Sequence, residues 1–247
     1  MITDTAWSHN SIYNFKDITD MYDSGEFSKN VSDGSFKGIY PGCYIKKTKV
    51  IDSETYIDHI DIIMSLDPYY GKNNGSGEFI TTHHVALIPY NRIGISKMNS
   101  TNIVTGGYYS SYMRNTTLPK YLTGYKNAYG SSHFLTFGEL ISNRVGTSGT
   151  LDGRSTGWTW CVTQITLMGE IQVYGSTIFS SEYDIGEACT QLEAFRLNPI
   201  LQQFDHGGFW LRGVANTVSF SEASGNGNSD ASGATNTYRV RPLFLLY

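Results

Sequence analysis

The chain has 247 residues, of which 14% are aromatic and only 16% charged, and its formal net charge is −4. A chain of this length can bury a sizeable core, but its Lys and Arg residues form no cluster of the kind that a nucleic-acid groove requires. No apolar run reaches the ~18 residues that indicate a membrane span, and three widely spaced cysteines provide neither a disulfide framework nor a C-x-x-C metal clip.

The first part of the chain, residues 1–35, is predicted to be an N-terminal arm. Its apolar residues are scattered, a short helix is indicated around residues 17–21, and Gly25 and Gly34 interrupt any longer element. Such an arm either docks into another subunit or packs on its own domain, and the sequence favours neither. It lacks the basic and apolar regions of a secretory signal.

Strands are predicted over residues 36–48, 55–66 and 83–95, from runs of apolar residues and their partial alternation with polar ones. Residues 99–129 form the strongest helical region. There, Leu118, Leu122 and Tyr125 recur at helical spacing, and Thr117 is suited to cap the helix that they begin.

The next elements are less regular. A Thr-Phe-Gly-Glu capping box at residues 136–139 predicts a short helix through Asn143. Residues 144–156 and 180–188 are predicted loops. Residues 157–175 mix strand and helix signals, and residues 191–199 fit either a helix or a strand.

Residues 207–247 contain two apolar segments that are predicted to be strands, one at FWLR and one at residues 240–247. Between them lie about twenty residues made largely of Asn, Ser, Gly, Ala and Thr, which have too little apolar surface for a core. Polar side chains held out by a rigid base form the binding face of many folds, although an idle surface loop has the same composition. Many short strands with one or two helices predict an α+β fold, with one domain over residues 36–247.

Several segments resemble C-type-lectin-like domains in virion proteins of phages that infect Gram-positive bacteria. They are HHVALIPYNRIGISKMNSTN with the following GGYYSSYM, AYGSSHFLTFGELISN, WTWCVTQITLMGEIQVYGS, FWLRGVA and the terminal RVRPLF. The ending is also similar to that of phage tropism determinants and formylglycine-generating enzymes. The segments keep one order and together span roughly residues 36–247.

This resemblance implies a C-type-lectin-like fold on the surface of a phage particle, at a tail or head-fibre tip, with other virion proteins as partners and a host cell-surface glycan or protein as ligand. It also implies a homo-oligomer, namely a trimer, and it makes residues 1–35 the expected place of virion attachment or oligomerisation. An extracellular type of surface without an export signal agrees with release by lysis. Neither nucleic-acid binding nor membrane insertion is expected.

The candidate ligand-binding residues are polar positions of the terminal stretch and two tryptophans. Asn, Ser and Tyr supply adaptable hydrogen bonds and rigid aromatic area, and Trp158 and Trp160 share one face if their segment is extended. The tryptophans either stack on a ligand or neighbouring subunit or pack in the core, whereas Trp210 is expected in the core. The polar candidates are Asn216, Thr217, Ser219, Ser221, Asn226, Asn228, Asp230, Asn236 and Tyr238.

No cofactor, metal site or catalytic residue is predicted. The chain lacks the Glu-Pro-Asn, Gln-Pro-Asp and Trp-Asn-Asp motifs of calcium-dependent sugar binding. Nothing beside Cys161 or Cys189 lowers a thiol pKa. His83 and His84 are adjacent, so in a strand they point to opposite faces and are expected to be one buried and one surface residue.

Two functions from different classes follow. In the first, the chain displays a recognition face that binds the host cell. In the second, it is a decoration or connector protein that contacts only other virion subunits. An enzyme of the formylglycine-generating type is a distant third alternative.

Overall fold

The computed structural model describes residues 15–142, 158–179 and 190–247. The predicted loops 144–156 and 180–188, residues 1–14 of the predicted arm, and Cys189 lie outside these ranges. The predicted α+β class is confirmed. The strands are β1 (Tyr44–Ile51), β2 (Glu54–Leu66), β3 (Val85–Pro89), β4 (Ile95–Ser96), β5 (Phe137–Ser142), β6 (Trp158–Thr163), β7 (Ile165–Leu167), β8 (Phe209–Val214), β9 (Ser219–Ala223), β10 (Ser229–Gly233), β11 (Tyr238–Arg239) and β12 (Pro242–Leu246); the α-helices are α1 (Thr19–Asp23), α2 (Glu26–Ser32), α3 (Leu118–Tyr129), α4 (Glu170–Tyr174) and α5 (Glu193–Leu197).

The first sheet has the strand order β1-β2-β3-β12-β7 and is antiparallel throughout. Strand β12 lies inside the sheet, where Phe244 pairs with Leu87 of β3 on one side and Ile165 of β7 on the other. Its sequence, PLFLL, is buried at all five positions. Its proline is the first residue of the strand, where the missing N–H does least harm to the ladder.

This first sheet separates two hydrophobic cores. Successive residues of a strand point to opposite faces, so Phe244 and Leu246 enter one core while Leu243 and Leu245 enter the other. Helix α3 covers the first core and α5 contributes to the second. The sequence of a strand that is buried on both faces is a continuous apolar run and does not alternate with polar residues. Strand β12 has such a sequence.

The second sheet has the order β10-β9-β8-β11-β4, and a two-stranded sheet joins β5 to β6. In the second sheet the β8–β11 contact is parallel and the others are antiparallel. Trp210 of β8 is fully buried and donates its Nε1–H to the carbonyl oxygen of Ser96 in β4, at 2.8 Å. The expectation that Trp210 belongs to the core is therefore confirmed.

Residues 15–35 pack on the domain instead of standing away from it. The backbone N–H of Ile18 donates to the carbonyl oxygen of Tyr44 in β1, at 2.9 Å. Phe27 and Val31 of α2 are fully buried in the first core. Of the two alternatives for the predicted arm, packing on its own domain describes this part of it.

Helix α3 is fixed to the β1–β2 hairpin by a buried ion pair. Lys49 Nζ lies 2.6 Å from Asp61 Oδ2, and neither side chain is exposed. The hydroxyls of Tyr125 and Tyr129 donate to the same carboxylate from α3. Burial lowers the pKa of Lys49 despite the adjacent carboxylate. Gly124 allows the close contact, because a Cβ there would lie 2.5 Å from the carbonyl oxygen of Val50.

The strand predicted over residues 36–48 begins only at Tyr44, and two capping predictions were wrong. Residues 137–142 of the predicted short helix form β5, since cross-strand pairing with β6 and burial of Phe137 and Ile141 override the capping-box signal; Asn143 lies outside the described residues. Thr117 does not cap α3, because a π-helical turn over Met113–Thr117 leads directly into that helix. Its hydroxyl instead lies 2.9 Å from Ser96 Oγ. In the described residues, no helix is both long enough and apolar enough to cross a membrane.

Three of the segments that carry the family resemblance meet in one buried polar cluster. Arg212 Nη2 lies 3.1 Å from Glu139 Oε2, and Arg212 Nη1 donates to Gln172 Oε1 at 2.6 Å. Gln172 Nε2 in turn donates to Glu139 Oε1 at 3.0 Å, and Tyr69 donates its hydroxyl to the same oxygen. These motif residues join β5, α4 and β8 in the interior.

Candidate functional site

The terminal stretch is not one loop, because its polar middle forms the strands β9 and β10. Strand β9 runs from the turn at residues 215–218 to the turn at residues 224–228, and β10 returns beside it to residues 234–237. Five strand residues span ~17 Å at about 3.4 Å each. The candidate residues are therefore divided between the two ends of this hairpin and its middle.

One end carries Asn226 and Asn228, both exposed in the turn between β9 and β10. The Ser224 N–H donates to the carbonyl oxygen of Asn228 at 2.8 Å and closes the turn. Behind it, Gly225 lies so close to His206 that a Cβ would come within 2.4 Å of the His206 carbonyl oxygen. This turn is thus supported by the segment before β8.

The opposite end carries Asn216, Thr217 and Asn236. Asn216 Oδ1 accepts a hydrogen bond from the Val218 N–H at 3.0 Å, so part of its side chain already serves its own turn. Asn236 is exposed, and Thr217 is half-buried. These three residues do not share a surface end with Asn226 and Asn228.

Two serines of the candidate set are not available at the surface. Ser219 is 7% exposed and Ser221 is fully buried, since both lie in β9 between β8 and β10. The expectation that they lie on an exposed loop was wrong. Short polar residues fit a loop composition, but they also fit a strand whose neighbours approach closely on both sides.

The middle of the hairpin holds a buried carboxyl group, that of Glu222 in β9, which is 3% exposed. Asp230 pairs directly opposite on β10, and the Ser232 hydroxyl lies 3.4 Å from Glu222 Oε1. The hydroxyls of Tyr238 and Ser232 are hydrogen-bonded to each other at 2.8 Å, and within the described residues Glu222 Oε2 has no hydrogen-bond partner.

Burial raises the pKa of Glu222 to about 7, and the negative charge of Asp230 acts in the same direction. The hydroxyls of Tyr238 and Ser232 act against this by favouring the ionised form. The structure thus brings together two of the candidate residues, Asp230 and Tyr238, around the carboxyl group of Glu222. The expectation that Glu222 is a solvated loop charge was wrong, because β9 lies between β8 and β10.

Trp158 and Trp160 lie on one face of β6, as expected for an extended segment, and both are half-buried. Trp160 is next to Gly75, where a Cβ would lie 3.3 Å from the indole ring. They belong to the two-stranded β5–β6 sheet and not to the sheet that carries the hairpin. Val162, on the same face, is 45% exposed.

A cavity of about 530 Å³ lies where three distant parts of the chain meet. The β1–β2 turn contributes Asp52 and Glu54, and α3 contributes Lys120 and Tyr121. Asp52 and Ser53 both have positive φ, as a two-residue hairpin turn requires. Such a volume falls within the ~300–1,000 Å³ typical of small-molecule sites.

The third wall of this cavity is the segment from Arg92 to Ser96, which includes edge strand β4. Gly94 forms the closest approach: its φ is +114°, and a Cβ would lie 2.4 Å from the Tyr121 hydroxyl. Sequence reasoning missed this site because its residues are far apart in the chain. The local signal was only the Asp-Ser pair between two predicted strands, which marks a hairpin turn without indicating a pocket.

The cysteines and histidines show no reactive arrangement in the described residues. Cys43 and Cys161 are free and buried, and burial raises the pKa of Cys161 even though Arg114 Nε lies 3.0 Å from its sulfur. His84 is buried and bonded to the backbone, while the half-exposed His83 contacts Asp67, as predicted for this pair. Among the described residues, no three His, Cys, Asp or Glu side chains are grouped to hold a metal ion.

Comparison of the chain with models of protein families, with curated proteins and with solved structures found no match.

Proposed function

We propose that this chain is a phage virion protein with a C-type-lectin-like domain, which displays a recognition face to the surface of a Gram-positive host. The ordered motif segments support the family, and the α+β architecture is compatible with it. The proposal assigns no catalytic reaction to the chain. Its partners are other virion proteins and a glycan or protein of the cell surface.

The observation that carries this proposal is the exposed turn with Asn226 and Asn228 at the end of a paired sheet. Its backbone is held by the hydrogen bond between Ser224 and Asn228 and by the close contact of Gly225 with His206. A turn whose shape is fixed before binding loses little conformational entropy when it binds. Amide side chains both donate and accept hydrogen bonds, which suits polar ligands.

A small polar turn of this kind makes few contacts, so each copy is expected to bind weakly. Display of many copies on one particle, as trimers in our proposal, raises the overall affinity by about 10²- to 10⁴-fold when the copies can bind together. The mechanism is therefore adhesion through multiplied weak contacts.

The experiment that tests this proposal is adsorption of the purified, fluorescently labelled chain to intact Gram-positive host cells, with cells of an unrelated species as control. Saturable binding that is selective for the host is the expected result. Absence of binding by a folded, oligomeric sample, together with immunogold labelling of the particle, would contradict host recognition and favour a decoration or connector role.

A further inference from the structure

The cavity between the β1–β2 turn, β4 and α3 presents hydrogen-bond acceptors and donors to the same space. Asp52 and Glu54 supply carboxylate oxygens, while Arg92 and Lys120 supply positively charged donors. Lys120 Nζ is paired with Asp52 Oδ2 at 2.8 Å. In the described part of the chain, Arg92 has no ion-pair partner.

This mixture of charges restricts the class of ligand. A multiply charged anion is repelled by Asp52 and Glu54, and a cation is repelled by Arg92 and Lys120. An apolar molecule would remove these charged groups from water without replacing their hydrogen bonds, which is costly. A neutral polyhydroxyl ring satisfies both kinds of group, because each hydroxyl donates one hydrogen bond and accepts others.

Three tyrosines complete the lining of the cavity. The Tyr56 hydroxyl donates to Glu54 Oε2 at 2.5 Å, and the Tyr121 hydroxyl donates to the carbonyl oxygen of Ile93 at 2.8 Å. Two rings are thereby fixed before any ligand arrives, while Tyr112 is 39% exposed. Aromatic rings offer flat apolar area with a polar tip, which matches a sugar ring with its C–H face and its hydroxyl edge.

Two polar residues that line the cavity, Ser96 and Thr117, are held in place by hydrogen bonds. Ser96 Oγ and Thr117 Oγ1 lie 2.9 Å apart, and the Trp210 indole N–H holds the Ser96 carbonyl oxygen at 2.8 Å. Ser96 also pairs with Tyr238 of β11. The cavity is therefore built on the edge of the second sheet and shares its rigidity.

We infer that this cavity is a saccharide-binding site for a neutral sugar of one or two rings. Glu54 and Asp52 accept from its hydroxyls, Arg92 donates to them, and Tyr112 covers a ring face. The inference goes beyond the proposed function, because a sugar site of this kind does not depend on the chain being part of a virion, and it is separate from the Asn226–Asn228 turn.

The test uses the ¹⁵N-labelled full chain, titrated separately with glucose, galactose, rhamnose and N-acetylglucosamine and followed by amide chemical shifts. The expected result is saturable shifts for at least one sugar, confined to residues 51–56, 92–96, 112 and 117–121, with Kd near ~1 mM, as for a small, open polar site. Glu54→Gln and Arg92→Ala should each weaken binding about tenfold, which corresponds to ~1.4 kcal/mol.

The matched control is Glu78→Gln, which neutralises an exposed carboxylate outside the cavity and should bind like the unmodified chain. Three results would overturn the inference: no shifts with any of the four sugars, shifts centred elsewhere on the surface, or unaltered binding by both cavity variants. Because purified protein and free sugars are used, failure here leaves cell adsorption untouched. Likewise, absence of cell adsorption would not contradict the sugar site in the cavity.

Discussion

Arg212 and Glu139 form a buried ion pair between β8 and β5, with 3.1 Å between Nη2 and Oε2 and side chains that are 1% and 0% exposed. Both residues belong to segments that carry the family resemblance. In this structure they connect elements of the interior and do not contribute to an exposed face. These two residues therefore stabilise the fold from its interior.

Removal of one partner of this pair is expected to destabilise the fold strongly. Arg212→Met leaves Glu139 buried without its cation, which typically costs about 3–5 kcal/mol. Lys46→Met is the matched control, because Lys46 pairs with Asp17 at 2.8 Å but both side chains are more than a third exposed, and such solvent-screened pairs contribute little to stability. Urea unfolding measures both values, and equal losses would contradict the assigned role.

Helix α2 is expected to be part of the folding unit. Phe27→Ala removes a fully buried ring and should lower the free energy of unfolding by about 3–5 kcal/mol. Phe79→Ala, at a site that is 65% exposed, is the control and should change it little. A small effect of Phe27→Ala in thermal or urea unfolding would show that α2 is dispensable. Because Phe27 and Val31 lie in the first core, deletion of residues 1–35 is expected to destabilise the domain as well as to remove any attachment role of this segment.

Host recognition is expected to depend on the turn between β9 and β10. The double variant Asn226→Ala, Asn228→Ala should reduce cell adsorption about tenfold or more without lowering the unfolding temperature, because both side chains are exposed. Asn127→Ala, on the exposed side of α3, is the control. If Asn236→Ala reduces adsorption while the double variant does not, the recognition surface is the opposite end of the hairpin.

Glu222 is expected to make stability depend on pH. Its pKa is about 7 in the folded chain against an ordinary value of 4.5, so between these values the folded state holds the proton more tightly than the unfolded state. The contribution of this group to stability therefore falls as pH rises through that window. Glu222→Gln should gain stability relative to the unmodified chain as pH increases from 4.5 to above 7.

The measurement is the difference in unfolding temperature between Glu222→Gln and the unmodified chain across this pH range. Asp230→Asn is an informative second variant, because removal of the neighbouring charge should bring the pKa of Glu222 closer to its ordinary value and reduce the pH dependence. A difference that does not change with pH would show that Glu222 is not protonated in the folded state.

Local patterns predicted those elements whose own sequence carries a clear signal. The helix at Leu118 is visible from its apolar spacing and from Pro119 in its first turn, and the fully apolar run PLFLL predicted a buried terminal strand. Strand β5 was missed because a capping-box sequence can also pair as a strand when a partner is present. That partner, β6, leaves no signal in the local sequence of β5.

The candidate site was predicted only in part for the same reason. Composition identified the polar turn at Asn226, but it could not distinguish this turn from Ser221, whose burial depends on strands β8 and β10 on either side. The cavity at Glu54 and Arg92 joins segments that only the tertiary fold brings together. Sequence patterns indicate periodicity and local geometry, but they do not indicate which distant segments meet in the fold.

The position of β12 between β3 and β7 has a consequence for the order in which the chain folds. Strands β3 and β7 each pair with β12, so neither can complete its hydrogen bonds until residues 242–246 have left the ribosome. During synthesis their apolar edges must remain unpaired or be shielded by a chaperone. Contacts between residues so distant in sequence also form slowly, and a chain that is cut short before Pro242 is expected to aggregate instead of folding.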